Sequence, residues 1–439
     1  MMQQCAVITT GRLSTDHIAA LEALHSPVTI QRRCADLAEL IAAARTGRAD
    51  AALIIGSTEQ LTSSTITQLH EVLPAVVAVS DSPAERSRLT ALGLSTFDDD
   101  APAAQIAQAL SSPAAPGSAP EGTGAPEAAA EFAALSDSAG PDGASAAGSS
   151  TVVWGSSGAP GRTTVAVNLA AELALSGRSV LLIDADTYAA SAAIHLGLLE
   201  ESAGIAQAVR AAEYGSLDSD VLLRSAVSVE IGPVRLEVLT GLPRADRWAE
   251  LRPGALDRVL SLAICRYDEV VVDAAAEIAP DQDLGFDAPA VQRNSAARTV
   301  LSAADRVIAV GAPDSVGFAR LVKAVQGYAE LLPEAAVPEV VINKLRKQAV
   351  GRSPRRQLTE TWRQLGPSTA PLQFLPWDPE ACDAALRAGQ VLAEAAAESP
   401  LRRQIAALAG IQVGRRRRPF SRTRGGTRSG GRGTPAERR

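Results

Sequence analysis

The segment Trp154–Thr164, WGSSGAPGRTT, joins a short apolar run at Thr151–Trp154 to a helix-like run at Thr164–Ala174. No other feature narrows the folds open to this chain so far. A strand that feeds a glycine-rich turn and then a helix aims backbone N–H groups and the positive helix end at one point, where a phosphate is stabilised. The loop departs from the usual pattern G-x-x-x-x-G-K-[ST]. With the second glycine at Gly161, Ser156 falls at the first glycine, Arg162 at the lysine and Thr163 at the hydroxyl that ligates a magnesium ion.

The 439 residues are expected to form two or three domains, because one hydrophobic core stops growing near roughly 250 to 300 residues. Hydrophobic residues make up 46% and aromatics only 3%. The interior is therefore aliphatic, and the aromatic stacking surfaces of a single-strand nucleic-acid binder are not expected. There is no run of about 18 apolar residues, and the opening MMQQCAVITTGRL lacks the basic-then-apolar layout of a signal peptide. A cytoplasmic protein is expected. Cys5, Cys34, Cys265 and Cys382 show no C-x-x-C spacing, and His17, His25, His70 and His195 do not cluster. Reduced thiols and ordinary imidazoles, rather than metal ligands, fit that pattern.

The formal charge of −7 conceals an asymmetry, because Gly414–Arg439 carries ten arginines against the single acid Glu437. Such a tail buries no apolar surface and is expected to be disordered. It suits DNA phosphates or an anionic membrane surface; a solubilising tail that contacts nothing specific is the alternative. Residues 111–150, in which 32 of 40 are Ala, Gly, Ser or Pro, form the expected linker.

Before the linker, apolar runs at Cys5–Ile8, Val28–Gln31, Ala51–Ile55, Ala75–Val79 and Leu94–Phe97 alternate with helical patterns. Five βα units in residues 1–110 predict a small doubly wound α/β domain. The count resembles a two-component receiver. The places of its acidic pair, acceptor Asp and Lys read ITTG, IIGST and FDDD here. That resemblance implies a pseudo-receiver used for docking; an unrelated flavodoxin-like domain is the alternative.

After the linker, strand-like runs recur at Thr151–Trp154, Val180–Ile183, Leu236–Leu239, Val270–Val272, Val307–Val310, Val340–Ile342 and Leu372–Leu375. Continuous apolar strands alternating with helices predict a mostly parallel sheet covered on both faces, with ligands at the carboxyl ends of the strands. Three strand ends carry unusual chemistry. Gly158 and Gly161 let the backbone approach phosphates, and Thr163 is a candidate magnesium ligand. In VLLIDAD, Asp184 and Asp186 stand two residues apart, on one face of an extended strand. In RYDEVVVDAAAE, Asp273 ends an apolar strand, the Walker B arrangement.

The order of these parts, their spacing of about 20 and then 90 residues, and GRTT followed by VNLAAELALSGRSVLLIDAD resemble the MinD and ParA branch of P-loop ATPases over residues 150–410. In that branch the loop reads KGGxGKTT, and its first lysine reaches the partner's nucleotide across a dimer interface. Matched position by position, Ser157 stands at that lysine, Gly158 and Ala159 at the glycine pair, and Pro160 at the variable site; Gly161, Arg162, Thr163 and Thr164 complete the loop. Both lysines are replaced. The resemblance implies ATP and Mg²⁺ as cofactors, with Thr163, Asp184 and Asp273 around the metal. It assigns Asp186 and Arg162 to the chemistry, and Asn343, in VVINKLR, to the adenine. In FLPWDPEACDAAL, Pro376 and Asp378 match the wall of the base pocket, whereas AAAE after Asp273 replaces the usual TPP. A guanidinium is broader than an ammonium and is no compact point charge, so binding with slow or conditional hydrolysis is expected.

A pseudo-receiver, a linker and such an ATPase domain resemble the CpaE and TadZ group, with an actinobacterial, partitioning-like flavour in GAPGRTT, LTGLPRADRW and ADRVIAVGAPD. That layout implies an ATP-dependent homodimer that positions pilus assembly, a septum site or chromosomes. It would act in the cytoplasm or peripherally at a membrane, pole or nucleoid, with the basic tail touching lipid or DNA. Two further readings stay open: a non-enzymatic docking scaffold with a degenerate P-loop, and a DNA-associated partition factor.

Overall fold

The computed structural model describes residues 4–24, 28–56, 60–112, 148–198, 203–280, 292–367 and 372–412. Residues 113–147 of the expected linker and the whole basic tail lie outside the described residues. Two sheets are formed, one on each side of that interval.

The first sheet holds β1 (Cys5–Gly11), β2 (Val28–Cys34), β3 (Ala51–Ile55), β4 (Ala75–Val79) and β5 (Ser95–Phe97) in the order β2-β1-β3-β4-β5. All its pairings are parallel. That order is doubly wound and flavodoxin-like. Alternate residues of the central strands feed two cores: Ala52, Ile54, Val76 and Ala78 enter one, and Ala51, Leu53, Val77 and Val79 the other. Both faces are covered, so the central strands read as continuous apolar runs.

The second sheet runs β13-β12-β11-β6-β10-β7-β9-β8. Its members are β6 (Ser149–Gly155), β7 (Val180–Ala185), β8 (Val227–Ile231), β9 (Val234–Leu239), β10 (Glu269–Ala274), β11 (Arg306–Gly311), β12 (Glu339–Leu345) and β13 (Gln373–Pro376). Every pairing is parallel except β8 with β9, a hairpin turned at Gly232 and Pro233. The same alternation builds its two cores, with Val152, Leu181, Val270 and Val307 on one face and Val153, Leu182, Val271 and Ile308 on the other. β6 sits in the middle, and the next strand in the chain, β7, lies beyond β10. The carboxyl ends of β6, β10 and β7 are therefore adjacent, at the kind of crevice where open α/β sheets bind ligands.

The two units meet through polar contacts between the helix Ser63–His70 and the β5-side loops of the first and the helices Gly204–Glu213 and Pro253–Arg266 of the second. Glu213 Oε1 accepts the Ser64 N–H at 3.1 Å, placing a carboxylate at a helix N-terminus, where it is favoured. Arg258 donates to Leu92 O at 2.6 Å, Arg88 to Tyr214 O at 3.2 Å, and Arg252 to Ser64 Oγ at 3.1 Å.

Candidate functional site

β6 ends in the loop Ser156–Gly161, and the helix Arg162–Leu175 starts directly after it. Three loop residues adopt left-handed backbone: Gly158 at φ +98°, Ala159 at +53° and Gly161 at +93°. A side chain on Gly158 would meet the Arg320 guanidinium at 2.6 Å, and one on Gly161 the Asn343 amide at 2.7 Å. Backbone conformation favours glycine at both positions, and at Gly161 the buried Asn343 amide adds a close approach, whereas the Arg320 side chain beside Gly158 can shift. Ala159 holds the same left-handed conformation with a Cβ, at a cost of roughly 1–2 kcal/mol.

Three acids converge on this loop from two neighbouring strands. Asp273 on β10 is in register with Asp184 on β7, so the two carboxylates sit side by side at the carboxyl ends of these central strands. Asp184 accepts backbone N–H groups of Asp186, Ser191 and Ala192 at 3.2, 2.8 and 2.9 Å, which fixes it over the start of the short helix Ala192–His195. Burial pushes its pKa up to about 6 against those donors, and the Asp186 charge adds to the rise. Asp273 is fully buried, and neither of its oxygens makes a hydrogen bond of good geometry, although the Thr163 hydroxyl lies close enough to act on it. Its pKa stands well above the ordinary carboxylate value, first from burial and next from the Asp184 charge, while the Thr163 hydroxyl and the Arg162 guanidinium oppose the rise.

An orphaned buried carboxylate beside a second carboxylate and a threonine hydroxyl is a donor set suited to a hard divalent cation. The Thr163 Oγ1 lies 3.3 Å from Ser191 Oγ, and the buried Ser156 hydroxyl also lacks a partner. These residues fit Mg²⁺ carried with a phosphorylated ligand. Among the described residues no group of three or more His, Cys, Asp or Glu is placed to hold a metal ion by itself.

Arg162 does not point its charge into open space. Its Nη2 donates to Asp186 Oδ2 at 3.1 Å and its Nη1 to Ser156 O at 3.1 Å. The other oxygen of Asp186 accepts the N–H groups of Tyr188 and Ala189. The cation at the lysine position is thus paired with the acid that the resemblance assigns, beside it, to the chemistry. Asn343, expected at the adenine, is buried: it donates to Pro160 O at 2.8 Å and accepts the Lys344 N–H at 2.7 Å. Its amide secures the loop. Ser157 and Thr164 lie on the same segment, Thr164 giving its carbonyl to the Asn168 amide.

One residue that the motifs do not single out also reaches the loop. Lys344 Nζ donates to Ala159 O at 2.8 Å. A signal for it was present in composition, because the chain has only three lysines, Lys323, Lys344 and Lys347, among 42 basic residues.

Residues 151–391, more than half of the chain, match the CobQ/CobB/MinD/ParA nucleotide binding domain. The chain belongs to this family. Solved structures similar to it include a ParA family ATPase from Chlorobium tepidum, at 19% identity and TM-score 0.49, over 60% of this chain and 98% of that one. The septum site-determining protein MinD of Pyrococcus horikoshii, complexed with Mg-ADP, aligns at 19% identity and TM-score 0.45, covering 60% and 94%. A variant of McdA from Cyanothece, in complex with ATP, gives 17% and 0.45, covering 61% and 98%. None of the curated proteins compared with the chain matches it.

Proposed function

We propose that this member of the family binds ATP with Mg²⁺ and uses it as a switch for spatial positioning, with slow or conditional hydrolysis. The observation that carries the reading is the buried, unpartnered Asp273 carboxylate, in register with Asp184 and next to the Thr163 hydroxyl. A pair of buried acids destabilises the fold unless a cation joins it, so its presence at the mouth of a phosphate loop is a functional feature. When bound, ATP with Mg²⁺ would supply the phosphoanhydride and the charge that neutralises these acids. Thr163, Asp184 and Asp273 would hold the metal. The N–H groups of Gly158, Ala159 and Gly161–Thr164 would hold phosphate, and Asp186, once released from Arg162, would orient water.

The nucleotide-bound state is read as a homodimer whose formation exposes a surface for a membrane, nucleoid, pilus or division partner, in the cytoplasm or at its periphery. The receiver-like first unit makes the CpaE and TadZ layout the favoured subgroup. Calorimetric titration with ATP and Mg²⁺ beside Asp273→Ala tests binding, and sedimentation of the same samples tests the dimer. Micromolar affinity that the variant loses supports the switch; no heat at millimolar ATP defeats it.

One observation favours a second reading, a docking scaffold without turnover. Ser157 removes one charge and the Arg162–Asp186 pair cancels the other. Phosphate release by the binding-competent protein separates the two readings. A DNA role through the arginine tail predicts affinity that falls steeply with salt and vanishes when residues 415–439 are removed.

A further inference from the structure

We propose that Lys344 supplies the ammonium that the loop has lost, contacting the terminal phosphates of the bound nucleotide from the end of β12. The inference rests on the ATP-binding reading above. Neither lysine position of the loop holds a lysine, and the guanidinium at the second is tied to Asp186 and to Ser156 O. Yet the site is not without an ammonium, because Lys344 Nζ lies on the Ala159 carbonyl at 2.8 Å.

Three features single out this lysine. Lysine is scarce, with three among 42 basic residues, while arginine serves nearly everywhere else. A chain that uses a lysine at this one loop uses the compact, strongly hydrated charge that suits phosphate as a point charge. The backbone is strained there: Lys344 adopts φ +56°, which a side chain with Cβ occupies only when its surroundings dictate it. With that conformation the Lys344 N–H donates to Asn343 Oδ1, and the two neighbouring side chains reach consecutive loop carbonyls, Pro160 O and Ala159 O. Finally, an ammonium carries three donors, of which Ala159 O accepts one, so phosphate oxygens can be engaged without giving up the loop. Arg320, against Gly158, brings a second positive charge to the same turn.

The test is calorimetric titration of the full-length protein with Mg-ATP and Mg-ADP, for the wild type, Lys344→Met and Lys344→Asn. Asparagine tolerates the left-handed backbone, so the second variant removes the charge without removing that conformation. The expected result is a loss of about tenfold or more in ATP affinity in both variants, on the scale of one charge-assisted hydrogen bond, with a clearly smaller loss for ADP. Unchanged ATP affinity overturns the proposal. Equal losses for both nucleotides also overturn it, because Lys344 would then only brace the loop. A wild type that binds neither nucleotide overturns the ATP-binding reading and this proposal together.

Discussion

Asp273 is the residue whose cost to the fold is most directly measurable. Its folded-state pKa lies above its unfolded value, so the folded chain holds the proton more tightly. The fold is then most stable with the proton on, and stability falls as pH rises from the unfolded pKa, about 3.9, towards the folded one. Asp273→Asn removes this loss. In the absence of metal and nucleotide the variant is expected to be about 1–3 kcal/mol more stable than wild type at pH 7.5, with the gap closing below pH 4. Urea unfolding at the two pH values checks this, and a variant less stable at pH 7.5 would refute it. Asp186 yields a second prediction. Freed from its ion pair in Asp186→Asn, Arg162 becomes available to phosphate, so ATP affinity should rise by on the order of tenfold while turnover falls. Much of this site was legible in the sequence, because each acid ends an apolar strand and each glycine stands in a recognisable turn. The Arg162–Asp186 pair was not, since nothing local to either residue announces a bond across 24 positions. Nor does the spacing around Asn343 show that its amide is spent on Pro160 O rather than left open.

Among the elements, the helix Arg162–Leu175 owes its place as much to the end of the chain as to the sheet. Glu172, buried on that helix, pairs with Arg402 on the helix Pro400–Leu408 through Nε at 2.6 Å. Asn168, one turn earlier, accepts the Leu392 N–H at 2.7 Å. Arg402→Ala would strand the Glu172 carboxylate in the interior, at an expected cost of about 3 kcal/mol in denaturant unfolding. Replacing both partners, as Glu172→Leu with Arg402→Met, should cost much less, and an equal cost would show that packing rather than charge dominates. The parallel strands were readable because burial on both faces leaves them uninterruptedly apolar. β8 escaped the same reading: three of its five residues, Val227, Ser228 and Glu230, are exposed, so VSVEI lacks an unbroken apolar run. Only its pairing with β9 makes it a strand.

For the molecule as a whole, the contact between the two units is made by arginine and glutamate side chains meeting backbone groups. Polar contacts of this kind hold domains less firmly than apolar ones. Arg252→Ala with Arg258→Ala is therefore expected to raise the radius of gyration in solution scattering while leaving the unfolding of the second unit unchanged. An identical scattering profile would mean that other contacts carry the arrangement. The meeting of the units depends on residues more than a hundred positions apart, which no local pattern reveals.

The scarcity of lysine has a practical side. A protease that cuts after lysine finds three sites in the entire chain, at Lys323, Lys344 and Lys347, and the last two bracket the end of β12 beside the phosphate loop. Brief digestion of the native protein would then report on the opening of that region and of the helix that carries Lys323, told apart by fragment mass, against a background in which every arginine-rich segment stays silent.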